Sequence, residues 1–256
     1  GNQVMASYCL GSMHVYFRTL DDIQTAHQSY FPLLKTINNT ITIDNYHLHE
    51  ALIKKLNDQS FDIASVKSSI NMMHKTTETH YYLIHLINDY LFGNYQQAFK
   101  NYKQSNNPRV ILLLPQISNN GLLGFLTAVK LIKRVNPIRK IGMAMVIFKQ
   151  YRSFKQKTHS APINFESRYY FMKAELLRLL KRSQSAIQNY DYALSKINDP
   201  NEQFDVALIN EHIAEYYLEL SNSDSASKYF DKAIDAYQKW GAVAKVKQLQ
   251  MTKESI

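Results

Sequence analysis

Residues 170–194, "YFMKAELLRLLKRSQSAIQNYDYAL", and residues 211–234, "EHIAEYYLELSNSDSASKYFDKAI", decide how this chain folds. In the first, Ala174 is followed by Ala186, Tyr190 and Ala193 at distances of 12, 16 and 19 residues. In the second, Ala214, Ala226, Phe230 and Ala233 repeat those distances forty residues on. Small side chains at the first two positions let two antiparallel helices approach closely. The aromatic fills the groove between them, and the last alanine admits the next hairpin.

This is the logic of the tetratricopeptide repeat (TPR), with a period of forty rather than thirty-four residues. A weaker copy, "LINDYLFGNYQQAFKNYK" (86–103), places Gly93, Ala98 and Tyr102 at the turn, small and aromatic positions. Helical periodicity also covers roughly 3–17, 43–57, 65–75, 119–134 and 138–156, and a helix from Leu20 is introduced by Thr19 and two aspartates. The expectation is an all-α chain: a right-handed α-solenoid of antiparallel helix hairpins, TPR-like, with a C-terminal capping helix. Its segments are 1–77, a middle basic part over 78–160 with a degenerate hairpin, and 161–256 with two repeats and the cap.

The lone tryptophan fits this frame. A helix over 223–240 puts Ala226, Phe230, Ala233, Tyr237 and Trp240 on one stripe, Gly241 ends it, and Ala242, Val243, Val246 and Leu249 form a short closing helix. Trp240 is read as a core anchor.

Composition narrows the function classes. One cysteine, Cys9, excludes an internal disulfide, and the longest apolar run, Val110–Pro115, is far short of the roughly 20 residues of a membrane span. No secretory signal is visible, so a cytoplasmic location without membrane insertion is expected. The start at Gly1-Asn2 leads us to expect a fragment of a longer protein carrying a tag remnant. The seven glycines build no phosphate cradle, and His47/His49 and His80/His85 lack the spacing that puts two rings on one helix face. Neither catalytic residues, metal nor cofactor are expected, and Cys9 has no nucleophilic setting.

Net charge is +9, unevenly spread. Between Asp89 and Glu166 there is no acidic residue but twelve cations, so the rest of the chain is mildly acidic. Lys130, Lys133, Arg134, Arg139, Lys140, Lys149 and Arg152 form a candidate partner-binding face. Interleaved aromatics at Tyr151 and Phe154 leave nucleic acid as a weaker alternative to an acidic protein. In a repeat array the first helices line a concave groove, here Arg168, Glu175, Arg178, Glu211 and Glu215. Glu211 and Glu215 are read as a mostly solvated pair.

"PINFESRYYFMKAELLRLL", "SAIQNYDYAL", "ALINEHIAEYYLEL" and "AYQKWGAVAKVKQL" together resemble the helical region of very large signalling kinases. Those chains combine a Ser/Thr-kinase-like domain, an AAA-type ATPase, this TPR-like region, a GAF sensor and a histidine kinase or other output. Asn164, Phe165, Arg168, Tyr169, Ala174, Glu175, Tyr237, Trp240, Gly241, Ala242, Ala244, Lys245 and Val246 carry the resemblance, which is specific over about 162–250. The family's Trp-Ala pair before Asn-Phe is replaced here by the basic "FKQYRSFKQK". The resemblance implies a non-catalytic regulatory module that binds neighbouring domains or another protein. The alternative is a stand-alone interaction protein or secreted effector binding an acidic partner.

Overall fold

The computed structural model describes residues 19–37, 39–106 and 114–256. The helix expected over 3–17, Cys9, Arg109 and most of the Val110–Pro115 run lie outside the described residues. Among the described residues there are eleven α-helices, one 3-10 helix and no strand. In chain order they are α1 (Leu20–Ile37), α2 (Thr40–Asn57), the 3-10 helix Ile63–Ser69, α3 (Lys75–Leu91), α4 (Tyr95–Ser105), α5 (Leu114–Ile132) and α6 (Pro137–Ser160). There follow α7 (Pro162–Leu179), α8 (Ser183–Ser195), α9 (Gln203–Glu219), α10 (Ser223–Trp240) and α11 (Val243–Glu254).

Helix starts follow local chemistry. The Thr19 hydroxyl accepts from the Asp22 amide at 3.1 Å, and Asn39 and Asn136 accept from Thr42 and Arg139 at the heads of α2 and α6. The expected helix over 65–75 is absent. Asp62 caps Ala64 instead, and the Ser65 and Ser68 hydroxyls donate to carbonyls three residues back. Those side-chain bonds favour a short 3-10 turn over a continuing α-helix.

Three hairpins share one turn. Gly93, Lys181 and Ser221 all adopt left-handed backbone, with φ of 81°, 57° and 57°. Each is followed by a residue whose amide donates five residues back: Asn94 to Asp89, Arg182 to Leu177 and Asn222 to Tyr217, at 2.7–2.9 Å. The left-handed residue itself donates three back, to Tyr90, Arg178 and Leu218. This is the Schellman closure, which satisfies the last carbonyls of the first helix and reverses the chain. Lys181 and Ser221 are forty residues apart, so the repeat visible in the alanines is also written in the backbone.

The chain divides into two compact units, Gly1–Asn120 with Gln238–Lys245, and Gly121–Tyr237 with Val246–Ile256. In the first, α1 packs on α2, α2 on α3, and α3 on α4. Leu48, Leu52, Leu83, Leu86, Ile87, Ala98 and Tyr102 form its core. Two of its buried carboxylates are paired: Asp44 accepts from the Thr77 hydroxyl at 3.0 Å, and Asp89 accepts from Asn101 at 2.7 Å. Trp240 belongs here, 1% exposed. Gly241 (φ 98°) stands so close to Leu20 that an added Cβ would lie 3.2 Å from the Leu20 Cβ. Past this turn the Lys245 ammonium donates to the Leu91 carbonyl at 2.5 Å, placing a buried cation at the C-terminal end of α3. Val243, expected on the apolar side of the closing helix, is exposed, while Ala242, Ala244, Val246 and Leu249 are buried.

In the second unit α6 packs on α7, α7 on α8, and α9 on both α7 and α8. Ala174, Ala186, Ala193, Ala214, Ala226 and Ala233 have no exposed surface, and Tyr190 and Phe230 are fully buried beside them. Gly121 of α5 lets α6 approach. A Cβ there would meet Gln150 Oε1 at 2.8 Å and the Phe154 ring at 3.0 Å.

Candidate functional site

Of the five residues expected to line a groove, Arg168, Glu175 and Arg178 are buried in ion pairs, and Glu211 and Glu215 are half-buried. Glu175, on α7, is 1% exposed. Its Oε1 accepts from the Tyr190 hydroxyl on α8, lies 2.8 Å from His212 Nδ1 on α9, and accepts from Arg178 at 3.3 Å. Arg178 forks onto Glu219 at 2.8 and 3.1 Å and donates to the His212 carbonyl. Its guanidinium lies 5.2 Å from the centre of the Tyr216 ring. Arg168 grips Asp205 with two bonds of 2.7 and 3.1 Å, both partners buried. Glu215 pairs with Lys130 and stands 3.8 Å from Arg178, and Glu211 accepts from the Tyr237 hydroxyl at 2.8 Å.

Protonation follows from this packing. Burial raises the Glu175 carboxyl, but the charges of His212 and Arg178 outweigh it and hold the group well below the carboxylate range. Glu215 is lowered in the same way, against burial, by Lys130, His212 and Arg178. Burial and the Glu175 charge push Tyr190 far up, so its hydroxyl stays a donor. Glu202, before α9, moves the other way: burial, Asp205 and Asp199 raise it to about 7 against the pull of Arg168. The network's chemistry is cohesive. Its charges are paired with one another, and its bonds join α7 to α8 through Tyr190 and to α9 through His212 and Glu219.

The histidines have local partners too. His80 Nδ1 lies 2.5 Å from Asn45 Oδ1, and His85 packs against the Tyr81 ring, where burial lowers it to about 4. Among the described residues no group of three or more His, Cys, Asp or Glu is arranged to hold a metal. No described helix is long and apolar enough to cross a membrane.

The acid-free interval divides in two. Lys130 is engaged with Glu215, and Lys157 lies over the Phe154 and Phe165 rings, burial lowering its ammonium. By contrast Lys133, Arg134, Arg139, Lys140, Lys149, Arg152 and Lys155 are all exposed on α6 and the turn before it. Two of the aromatics between them are used internally. Phe154 is fully buried edge-on to Phe165, and Tyr151 stacks on Tyr169 with ring centres 5.3 Å apart. Phe148, by contrast, is 66% exposed.

Two features of the site were not expected from the sequence. Asp205 as the partner of Arg168, 37 residues away, has no local signal. An exposed apolar stripe on α6 did have one, its spacing, which reads equally well as core. No family model, curated protein or solved structure matches the chain.

Proposed function

We propose that this chain is a non-catalytic, TPR-like protein-interaction module whose working surface is the basic face of α6 and the turn leading into it. Seven exposed cations with no acidic residue between Asp89 and Glu166 carry this reading. An acidic protein segment is the complementary partner, because steering between opposite fields speeds encounter and excludes like-charged surfaces. Nucleic acid is the weaker partner, since Phe154 is buried and Tyr151 stacks on Tyr169, which leaves Phe148 alone of these three rings exposed, whereas single-strand binding stacks successive bases.

The resemblance of 162–250 to the helical region of large signalling kinases supports a place within such a chain. The module would there be a right-handed solenoid with α11 as its cap, relaying between an ATPase-like region and a sensor or output domain. The stand-alone interaction protein is the second reading. Reading the full gene for flanking phosphate-cradle and histidine-kinase motifs separates the two.

The binding claim is tested with polyglutamate as an acidic probe, and with duplex DNA and single-stranded RNA as competitors. Replacing Lys133, Arg134, Arg139 and Lys140 together by Gln is expected to slow association and flatten its dependence on salt while helix content holds. Tighter binding of DNA or RNA than of polyglutamate at physiological salt would overturn it.

A further inference from the structure

Helix α6 carries two apolar stripes on opposite sides. Met143, Ile147 and Phe154 are buried in the second unit. Ile138, Ile141, Met145 and Phe148 face the other way and are 82%, 64%, 63% and 66% exposed. Their spacing of three, four and three residues is that of a heptad seam, and the same seam runs on through Arg152 and Lys155. Scattered exposed hydrophobics are ordinary; four in register along one helix are not.

We propose that this seam docks an amphipathic acidic helix from a partner protein. Apolar side chains of the partner would pack against 138–148, and its carboxylates would meet Lys149, Arg152 and Lys155. The proposal rests on the protein-binding function above and names the kind of partner that face takes.

Gly142 points independently to a helix. It lies inside α6 with ordinary backbone, and a Cβ added there would meet nothing within 4 Å. Nothing in the fold therefore requires a glycine at a position where alanine is the better helix former. Gly142 and Ala144 flank the seam on its two sides, where a small side chain lets a second helix approach.

Other occupants fit less well. The exposed apolar band spans about 80° of the helix circumference at 100° per residue, narrower than the stripe of an interfacial helix, and Arg152 lies on its axis. A second copy of α6 and the turn before it, laid antiparallel, would set Lys149, Arg152 and Lys155 against the partner copy's Arg134, Arg139 and Lys140, like charge on like. A partner with its own carboxylates removes both conflicts.

Calorimetry and stopped-flow binding test this on the full chain. The probes are a helical peptide of roughly three heptads with Leu at the seam and Glu beside it, and a scrambled peptide of the same composition. Polyglutamate and phosphatidylserine vesicles complete the set. The amphipathic peptide is expected to bind about tenfold or more tighter than its scramble. Replacing Ile141, Met145 and Phe148 together by Ser should erase that difference and leave the weak, salt-sensitive binding of polyglutamate. Replacing Lys149, Arg152 and Lys155 by Gln should weaken every acidic probe. Circular dichroism of both variants checks that the helices persist. Equal binding of peptide and scramble, with polyglutamate binding intact, overturns the helix-docking proposal and spares the basic-face function. Loss of all charge-dependent binding overturns both, and vesicle binding abolished by the serine substitutions, with no peptide preference, replaces the partner helix with a membrane.

Discussion

Two glycines in neighbouring helices show how little the residue type says until its surroundings are known. At Gly121 a Cβ would press on Gln150 and on the Phe154 ring, and that ring is pinned by Phe165. Gly121→Ala should therefore destabilise the fold by about 1–3 kcal/mol, the usual cost of overpacking. Gly142→Ala meets empty space and should stabilise α6 by up to about 1 kcal/mol. Denaturant titration of the two variants gives opposite signs; the same sign for both would contradict the geometry. Trp240 offers a direct optical check, because it is the sole tryptophan and 1% exposed. Its native emission should be blue-shifted, and Trp240→Ala should cost about 3–5 kcal/mol. Native emission at the wavelength of free tryptophan would show that the indole is not buried.

At the scale of helices, the hairpins were legible because their signal is local and steric. Ala174, Ala186 and Ala193 can be small only where another helix passes close by, and the same demand returns at Ala214, Ala226 and Ala233. The ion network was illegible because its partners come from separate helices. One clue was present: Phe171, Glu175 and Arg178 share a stripe at i, i+4 and i+7, so the charges follow a buried phenylalanine. Phe230, the equivalent of Tyr190 forty residues on, has no hydroxyl, so the second hairpin does not copy the Tyr190 bond to Glu175. Glutamates displaced in opposite directions give stability opposite pH dependence. Glu175 is depressed, so its contribution is present above the unfolded value of 4.5 and is lost as pH falls below it. Glu202 is raised to about 7 from 4.5, so its contribution is present below 4.5 and is lost as pH rises toward 7. Glu202→Gln should abolish that second loss. Urea titrations at pH 5 and pH 8 should show wild type weakening between them by more than the variant does; equal weakening would mean that Glu202 ionises freely in the native state.

Over the whole molecule, charge falls into two classes with separate tasks. Buried pairs such as Arg168–Asp205 and Glu175–His212 hold helices together. The seven exposed cations of the α6 face contribute little to folding and set the field that a partner meets. Salt distinguishes the classes. Raising ionic strength from about 0.01 M to about 0.1 M contracts the Debye length from about 30 Å to about 10 Å, which screens exposed charges and barely reaches buried ones. Thermal unfolding followed by circular dichroism should then shift by less than about 3 °C, equivalent to roughly 1 kcal/mol in a chain of this size. Over the same range the association rate with the acidic amphipathic peptide should fall about tenfold or more. A melting temperature that drops in step with the association rate would mean that the exposed cations help hold the fold, and the division between cohesive and recognising charges would fail.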